Sequence, residues 1–400
     1  METSEFEKDE FEKDDMVWEG SERNASVRYE DICIHGGENY DAYHGAIIPP
    51  LFQNTLFTRK RVDSGYRYTR VTNPTIDLLE TKLAALEGAE AARVFASGMG
   101  AITAILCSKL KAGDHVIILR TSYFPVCKFL LEEMSRFGVE MDLADDFSEE
   151  ELARLVRPNT RLFYLESPSS NVFKILDLRR ITAYARARGI VTVMDNTWAT
   201  PLYQNPLALG IDYVIHSATK YLGGHSDIIG GVVMGDRETM DSLREHERSS
   251  WGACMDPFAA WLLLRSLRTL EVRLERHSQS AARIAEFLDQ HEKVKKVYYP
   301  GLKSHENYEL GQSQMRGCSG LMSFVLDTDI EHTKKFLDAL KTFEVGPSWG
   351  GFESILSTPG FLGPEELAME GLVPGLLRVS IGLESADTLL EDLEQALKTI

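Results

Sequence analysis

Lys220 is the residue around which chemistry could centre. It stands in His216-Ser217-Ala218-Thr219-Lys220-Tyr221-Leu222-Gly223-Gly224-His225-Ser226, directly after the apolar run Tyr213-Val214-Ile215. Apolar residues that give way to small hydroxyl residues and paired glycines describe a buried strand opening into a loop. In α/β sheets, ligands sit at the carboxyl ends of strands. A lysine shielded there loses its proton below the ordinary value of about 10.4 and becomes a nucleophile toward carbonyl carbon. Ser217 and Thr219 flank it with hydroxyl groups suited to a phosphate. A Thr-Lys pair is also ordinary at a solvated strand end, so the lysine alone decides nothing. A second run, Val191-Thr192-Val193-Met194-Asp195-Asn196-Thr197, ends in a carboxylate. An amine able to form a Schiff base, phosphate donors and an acid together suit pyridoxal 5'-phosphate (PLP). The acid would keep the ring nitrogen protonated, so that the ring can draw electrons from a substrate.

Such a site needs strands that end together, and the chain supplies the alternation that builds them. Strand-like runs lie at 92–96, 115–119, 161–165, 191–195 and 213–215, with helical patterns at 101–106, 125–136 and 177–188. Apolar strands alternating with helices imply an α/β fold, with a mostly parallel central sheet and helices on both faces. Ser148 and Glu151 offer a capping box for one further helix. Asn73 as cap and Pro74 in the first turn begin another, with Ile76, Leu79, Leu83 and Leu86 on its apolar face and Gly88 as its stop.

Other residues gain interest from where these elements end. Ser97-Gly98-Met99-Gly100 lies between a strand and a helix, where free N–H groups and the positive helix end form an anion cradle. Tyr123, just past a strand end, suits either stacking on a planar ring or core packing. Tyr68 and Arg70 close an irregular arm and suit either surface packing or phosphate contact. Residues 257–292 read as one or two amphipathic helices. They lead to strand, helix, strand and helix at 320–326, 331–340, 376–381 and 389–397, a small α+β unit. Arg378 lies on one of these strands; a buried arginine needs an anion, either a substrate carboxylate or an ion pair within the fold. The expected division is an acidic tail at 1–24, an arm at 25–72 that packs on another subunit, a cofactor domain at 73–265 and a C-terminal domain at 266–400.

Composition narrows the partners. The 400 residues are 44% hydrophobic and 26% charged, as in an ordinary globular protein, and the net charge of −18 disfavours nucleic acid and anionic membrane. Part of that charge sits in the first fifteen residues, which read as a disordered or solvated tail that could also bind a partner. No signal peptide or apolar span is visible, which predicts a cytoplasmic protein. Five scattered cysteines without C-x-x-C spacing predict neither a disulfide framework nor a metal site.

On these residues, above all Ser217-Ala218-Thr219-Lys220-Tyr221-Leu222-Gly223-Gly224-His225-Ser226-Asp227, the chain from about residue 30 onward resembles the Cys/Met metabolism PLP-dependent enzymes. The resemblance implies an aspartate-aminotransferase-like fold (fold type I) with an extended N-terminal arm and a smaller C-terminal α+β domain. It implies Lys220 as the Schiff-base lysine, Asp195 as partner of the ring nitrogen and Tyr123 stacked on the ring. Ser97, Gly98, Met99, Ser217 and Thr219 would hold the phosphate, with Tyr68 and Arg70 reaching a neighbouring subunit's phosphate in a homotetramer with shared active sites. Lys220, Tyr123, Asp195 and Tyr68 are the catalytic candidates. Ser348 and Arg378 would bind the α-carboxylate of a small amino-acid substrate, with Trp349, Ser170 and Lys128 as further substrate contacts.

Within the family, several details look like bacterial cystathionine β-lyases. Glu166-Ser167-Pro168-Ser169-Ser170 carries serine where γ-enzymes usually have asparagine, and Pro347 stands where cystathionine γ-lyases carry glutamate. The implied activity is β-elimination from L-cystathionine or another S-substituted cysteine, giving a thiol, pyruvate and ammonia. γ-Elimination or γ-replacement is the alternative within the family, and a non-catalytic PLP-binding interaction protein the alternative outside it. Val71 and Lys128 replace an arginine and an acid associated with the far end of cystathionine, so Lys128 is expected to repel a distal ammonium.

Overall fold

The computed structural model describes residues 28–400. The expected acidic tail at 1–24 therefore lies outside the described residues.

Seven strands form the main sheet: β1 (Ala91–Phe95), β2 (His115–Leu119), β3 (Glu140–Ala144), β4 (Thr160–Glu166), β5 (Val191–Asp195), β6 (Tyr213–Ser217) and β7 (Gly231–Gly235). Their order is β1-β7-β6-β5-β4-β2-β3, and every pairing is parallel except the two made by β7. Both faces are apolar and covered. Along β4, Phe163 and Leu165 enter one core cluster while Leu162 and Tyr164 enter the other, as side chains two apart share a face. Parallel pairing brings Leu119, Glu166, Asp195 and Ser217 to one edge of the sheet, and antiparallel β7 begins at that edge with Gly231.

Helix Pro74–Glu87 follows from its sequence signals. The Asn73 side chain accepts from the Thr75 N–H at 2.9 Å, Pro74 occupies the first turn and Gly88 ends the helix in the left-handed region at φ 76°. Its apolar face, including Leu79, Leu83 and Leu86, is buried. Two expectations need correction. The pattern at 125–136 is not one helix: a five-residue α-helix, Phe124–Lys128, passes into a π turn and a 3₁₀ turn. The box at 148–151 is half formed. Ser148 caps the Glu151 N–H, but the Glu151 carboxylate accepts from the N–H groups of Asp145 and Asp146 instead of reaching back to Ser148. Strands β3 and β7 carried no expectation. The first is a partly exposed edge of mixed polarity, and the second is a short run bounded by glycines.

Residues 257–292 resolve into two helices, Pro257–Leu267 and Leu270–Gln290. Beyond them a second, smaller sheet combines β8 (Val294–Tyr298), β9 (Leu321–Leu326), β10 (Glu344–Val345), β11 (Ile355–Ser357) and β12 (Leu376–Ser380) in the order β10-β11-β12-β9-β8. A single core cluster joins this sheet to helices Leu270–Gln290 and Ala386–Leu397. The two sheets meet where the site lies. Gly350, at φ 82°, sits so close to the chain at Lys220 that a Cβ there would come within 2.9 Å of the Tyr221 nitrogen.

Candidate active site

The loop after β6 presents Lys220 beneath residues from the smaller sheet. Its Nζ donates to Ser348 Oγ at 2.9 Å and lies 5.4 Å from the Trp349 ring centroid. Burial, helped by the Arg378 charge, lowers the amine to about 8, while Asp195 pulls the other way. A substantial fraction is therefore neutral near pH 8, which suits nucleophilic and proton-transfer chemistry.

Asp195 ends β5 in a buried position. Its Oδ1 accepts from both the N–H and the hydroxyl of Thr197, at 2.9 and 2.5 Å, which fixes the carboxylate's direction. Burial raises its pKa despite those two bonds. Glu166 lies beside it in the β4–β5 register and is also buried. Its carboxyl is pushed up by burial and by Asp195. Two adjacent buried carboxyls resist joint ionisation, and a cation set against Asp195 would relieve that penalty. Glu166 carries the same sequence signal as Asp195, an acid ending a buried strand. In the structure it organises the neighbouring loops: one oxygen accepts from the Tyr123 N–H at 2.7 Å and the other from the Ser170 hydroxyl at 2.5 Å.

An anion cradle lies across the β1 and β6 ends. Ser97 caps helix Gly98–Lys109 by accepting from the Gly100 N–H at 3.0 Å, leaving the Gly98 and Met99 N–H groups without partners among the described residues. The first turn of the helix passes so close to β6 that a Cβ on Gly98 would lie 2.9 Å from Ser217 Oγ. Ser217 in turn donates its N–H to Thr197 Oγ1 at 2.8 Å, which ties the cradle to the mount of Asp195. Thr219 is held by Gly230, whose N–H donates to Thr219 Oγ1 at 3.1 Å. Free N–H groups, a positive helix end and the Ser217 hydroxyl fit a phosphate; Asp195 and Lys220 fit a protonated ring nitrogen and a carbonyl. The donor set therefore suits PLP.

A cavity of about 500 Å³ is lined by Tyr123, Phe124, Ser170 and Arg378 among others; Lys220, Asp195 and Ser348 do not line it, and it is tied to them through Arg378, whose charge lowers Lys220, and through Tyr123, which responds to Asp195. Arg378 Nη1 donates to Asn171 Oδ1 at 3.2 Å, while its buried Nε has no partner. Of the two anions weighed for this arginine, the internal one is missing: among the described residues it makes no ion pair. Burial lowers it to about 10, so an arriving carboxylate would restore what desolvation removes. Asn171, which no local sequence pattern marks, thus orients the guanidinium.

Two groups stand apart. Tyr68 and Arg70 lie on the arm, with the guanidinium 5.2 Å from the exposed Tyr68 ring, and neither lines the cavity. Nor does Lys128. It sits one helical turn, about 6 Å along the axis, beyond Phe124 and is paired at 3.9 Å with Glu132. The expectation that Lys128 meets the far end of a substrate is not supported by this placement.

The Cys/Met metabolism PLP-dependent enzyme family matches residues 30–398. The cystathionine gamma-lyase of Bacillus subtilis is 38% identical over 381 residues, covering 94% of this chain and all of that protein. A cystathionine beta-lyase of Lactococcus lactis subsp. cremoris is 39% identical over 372 residues, covering 91% and 97%. The solved cystathionine gamma synthase of Xanthomonas oryzae pv. oryzae superimposes with a TM-score of 0.90 at 36% identity, covering 93% of this chain and 98% of that one. The match to the family spans almost every described residue, and the chain belongs to the Cys/Met metabolism PLP-dependent enzymes, with PLP as its cofactor.

Proposed function

We propose that this enzyme is a carbon–sulfur β-lyase: it cleaves the Cβ–S bond of L-cystathionine or another S-substituted L-cysteine, adding water to give a thiol, pyruvate and ammonia. PLP supplies the electron sink that stabilises negative charge at Cα. Lys220 holds the cofactor through its carbonyl carbon and Asp195 keeps the ring nitrogen protonated. Tyr123 would stack on the ring, and Ser97, Gly98, Met99, Ser217 and Thr219 would hold the phosphate. Tyr68 and Arg70 complete the phosphate site of a neighbouring subunit in a homotetramer, a reading supported by their place on an exposed arm.

Arg378 and Ser348 grip the substrate α-carboxylate, which sets the Cα–H bond toward Lys220. The freed amine takes the proton from Cα. As an ammonium it then gives a proton to the sulfur leaving Cβ, so one group serves as base and acid in turn. The burial that lowers Lys220 to about 8 makes both roles accessible near neutral pH.

One observation carries the choice of β over γ chemistry. γ-Elimination requires a second proton to be taken from Cβ, and the cavity wall just before Ser348, Val345-Gly346-Pro347, adds no proton acceptor to Lys220 there, the carboxyl on the cavity being Glu370 at the end of helix Pro364–Glu370. γ-Elimination remains the second reading because of the 38% identity with the Bacillus subtilis gamma-lyase. The two separate on product. PLP-loaded protein is given L-cystathionine, S-ethyl-L-cysteine and L-methionine, and the 2-oxo acid is identified by mass. Pyruvate is expected from the two cysteine conjugates and no 2-oxo acid from methionine; dominant 2-oxobutyrate from cystathionine or methionine would overturn the β reading.

A further inference from the structure

The substrate cavity carries two groups of permanent charge interest, Arg378 and Glu370. Arg378 is accounted for by an α-carboxylate. Glu370 is not: among the described residues it makes no hydrogen bond or ion pair, although it faces the cavity. It is the last residue of helix Pro364–Glu370, which closes at Gly371 in the left-handed region at φ 66°. That turn lies against the loop leading to Tyr123, since a Cβ on Gly371 would meet Arg120 and Thr121 side-chain carbons at 3.1 Å. Arg120 does not neutralise Glu370, because its guanidinium is committed to Asp145. The carboxyl of Glu370 is pushed up by partial burial and by Glu366, whereas Arg378 responds to Glu166 and Tyr123. The two cavity charges thus sit in separate electrostatic neighbourhoods, one beside the reacting centre and one away from it. The last carbonyls of the short helix add negative potential at the Glu370 end.

We propose that Glu370 is a specificity-determining residue that receives a cationic group, an ammonium, on the sulfur substituent of the substrate. The inference rests on the reading of this cavity as the site of an S-substituted cysteine. It reverses the sequence expectation, in which Lys128 would repel such a group. Lys128 is turned to Glu132 outside the cavity, and a carboxylate from a distant part of the chain lines it instead.

The test uses a pair of substrates that differ only at the tip. S-(2-aminoethyl)-L-cysteine ends in an ammonium and S-propyl-L-cysteine in a methyl group. The PLP-loaded wild type is expected to favour the ammonium member in kcat/KM, chiefly through KM, and Glu370→Gln to lower that ratio about tenfold, as for a lost hydrogen bond between charged groups. Glu370→Asp should keep most of the preference. A second readout involves no turnover: L-lysine and L-2-aminoheptanoate lack a sulfur leaving group, and wild-type protein should be inhibited at lower concentration by lysine. No preference for the cationic member of either pair, or a ratio unmoved in Glu370→Gln, would overturn the proposal. Failure of the β-lyase reading looks different, because pyruvate would then be absent from both cysteine conjugates while the inhibition pair still reports on Glu370.

Discussion

The edge of the large sheet and the cavity wall contributed by residues 345–378 carry the two groups of candidate residues, yet they are built on different terms. At the edge, Glu166, Asp195 and Ser217 end neighbouring strands, so hydrogen-bonded register sets their spacing. At the wall, Arg378 rides on β12, but Glu370 ends a seven-residue helix and Gly346 and Pro347 lie between strands. Ladders fix the first group; turns and side-chain contacts fix the second. The first group is therefore placed by topology, whereas the second sits on local segments that can change without disturbing the sheet.

That contrast breaks if substitutions at the sheet edge prove mild. Lys220→Ala removes the group read as cofactor anchor, base and acid, and kcat should fall about 1,000- to 10,000-fold. Pyruvate release at saturating substrate measures it, with bound PLP followed by absorbance to separate lost chemistry from lost cofactor. Asp195→Asn keeps an acceptor for Thr197 but removes the charge set against the ring nitrogen. Unpairing a buried charge costs about 3 kcal/mol, a roughly hundredfold loss in kcat. An Asp195→Asn protein within a few-fold of wild type would mean that the edge does not control the electron sink.

How much of this was legible in the sequence follows the same division. The strand-end positions of Lys220, Asp195 and Ser97 are legible because an apolar run, a polar stop and a glycine mark a strand end whatever surrounds it. Glu166 carried the same signal and was passed over, since its adjacency to Asp195 exists only once β4 and β5 pair. Arg378 was found as a charge on a strand, but Asn171, its partner at 3.2 Å, lies 207 positions away and no local pattern joins them. Glu370 was invisible for a related reason: a glutamate at the end of a short amphipathic helix is ordinary until the fold turns it toward the cavity. The position of Lys128 is equally hidden: its place along the chain does not tell that the side chain pairs with Glu132 and is absent from the cavity lining.

Arg378 joins the two regions, and two measurements sharpen that link. Arg378→Ala should lower kcat/KM about thirtyfold, mainly through KM, as expected for about 2 kcal/mol of charged hydrogen bonding to the α-carboxylate. The same arginine also lowers Lys220. Capture of PLP by the cofactor-free protein needs the neutral amine. Its rate should therefore rise tenfold per pH unit below about 8 and level off above, where an unperturbed lysine would keep rising past pH 10. Removing the Arg378 charge should move that midpoint upward. A midpoint unchanged in Arg378→Ala would show that burial alone sets the amine.

The smallest expected effect tests the outer boundary of the wall. Lys128 and its partner Glu132 are each 60% exposed at a separation of 3.9 Å, so their attraction is screened by water and salt. Lys128→Ala should change stability by less than about 1 kcal/mol and leave kcat/KM for L-cystathionine within about twofold. Were Lys128 instead to face the substrate, removing a positive charge would improve the binding of any conjugate with a distal ammonium, and KM for cystathionine would fall severalfold while that for S-ethyl-L-cysteine would not. A result of that kind would place the far end of the cavity beyond Phe124 and take the selective role away from Glu370. Equal, near-wild-type values for both substrates leave the helix end at Glu370 as the carboxylate that a cationic substituent meets.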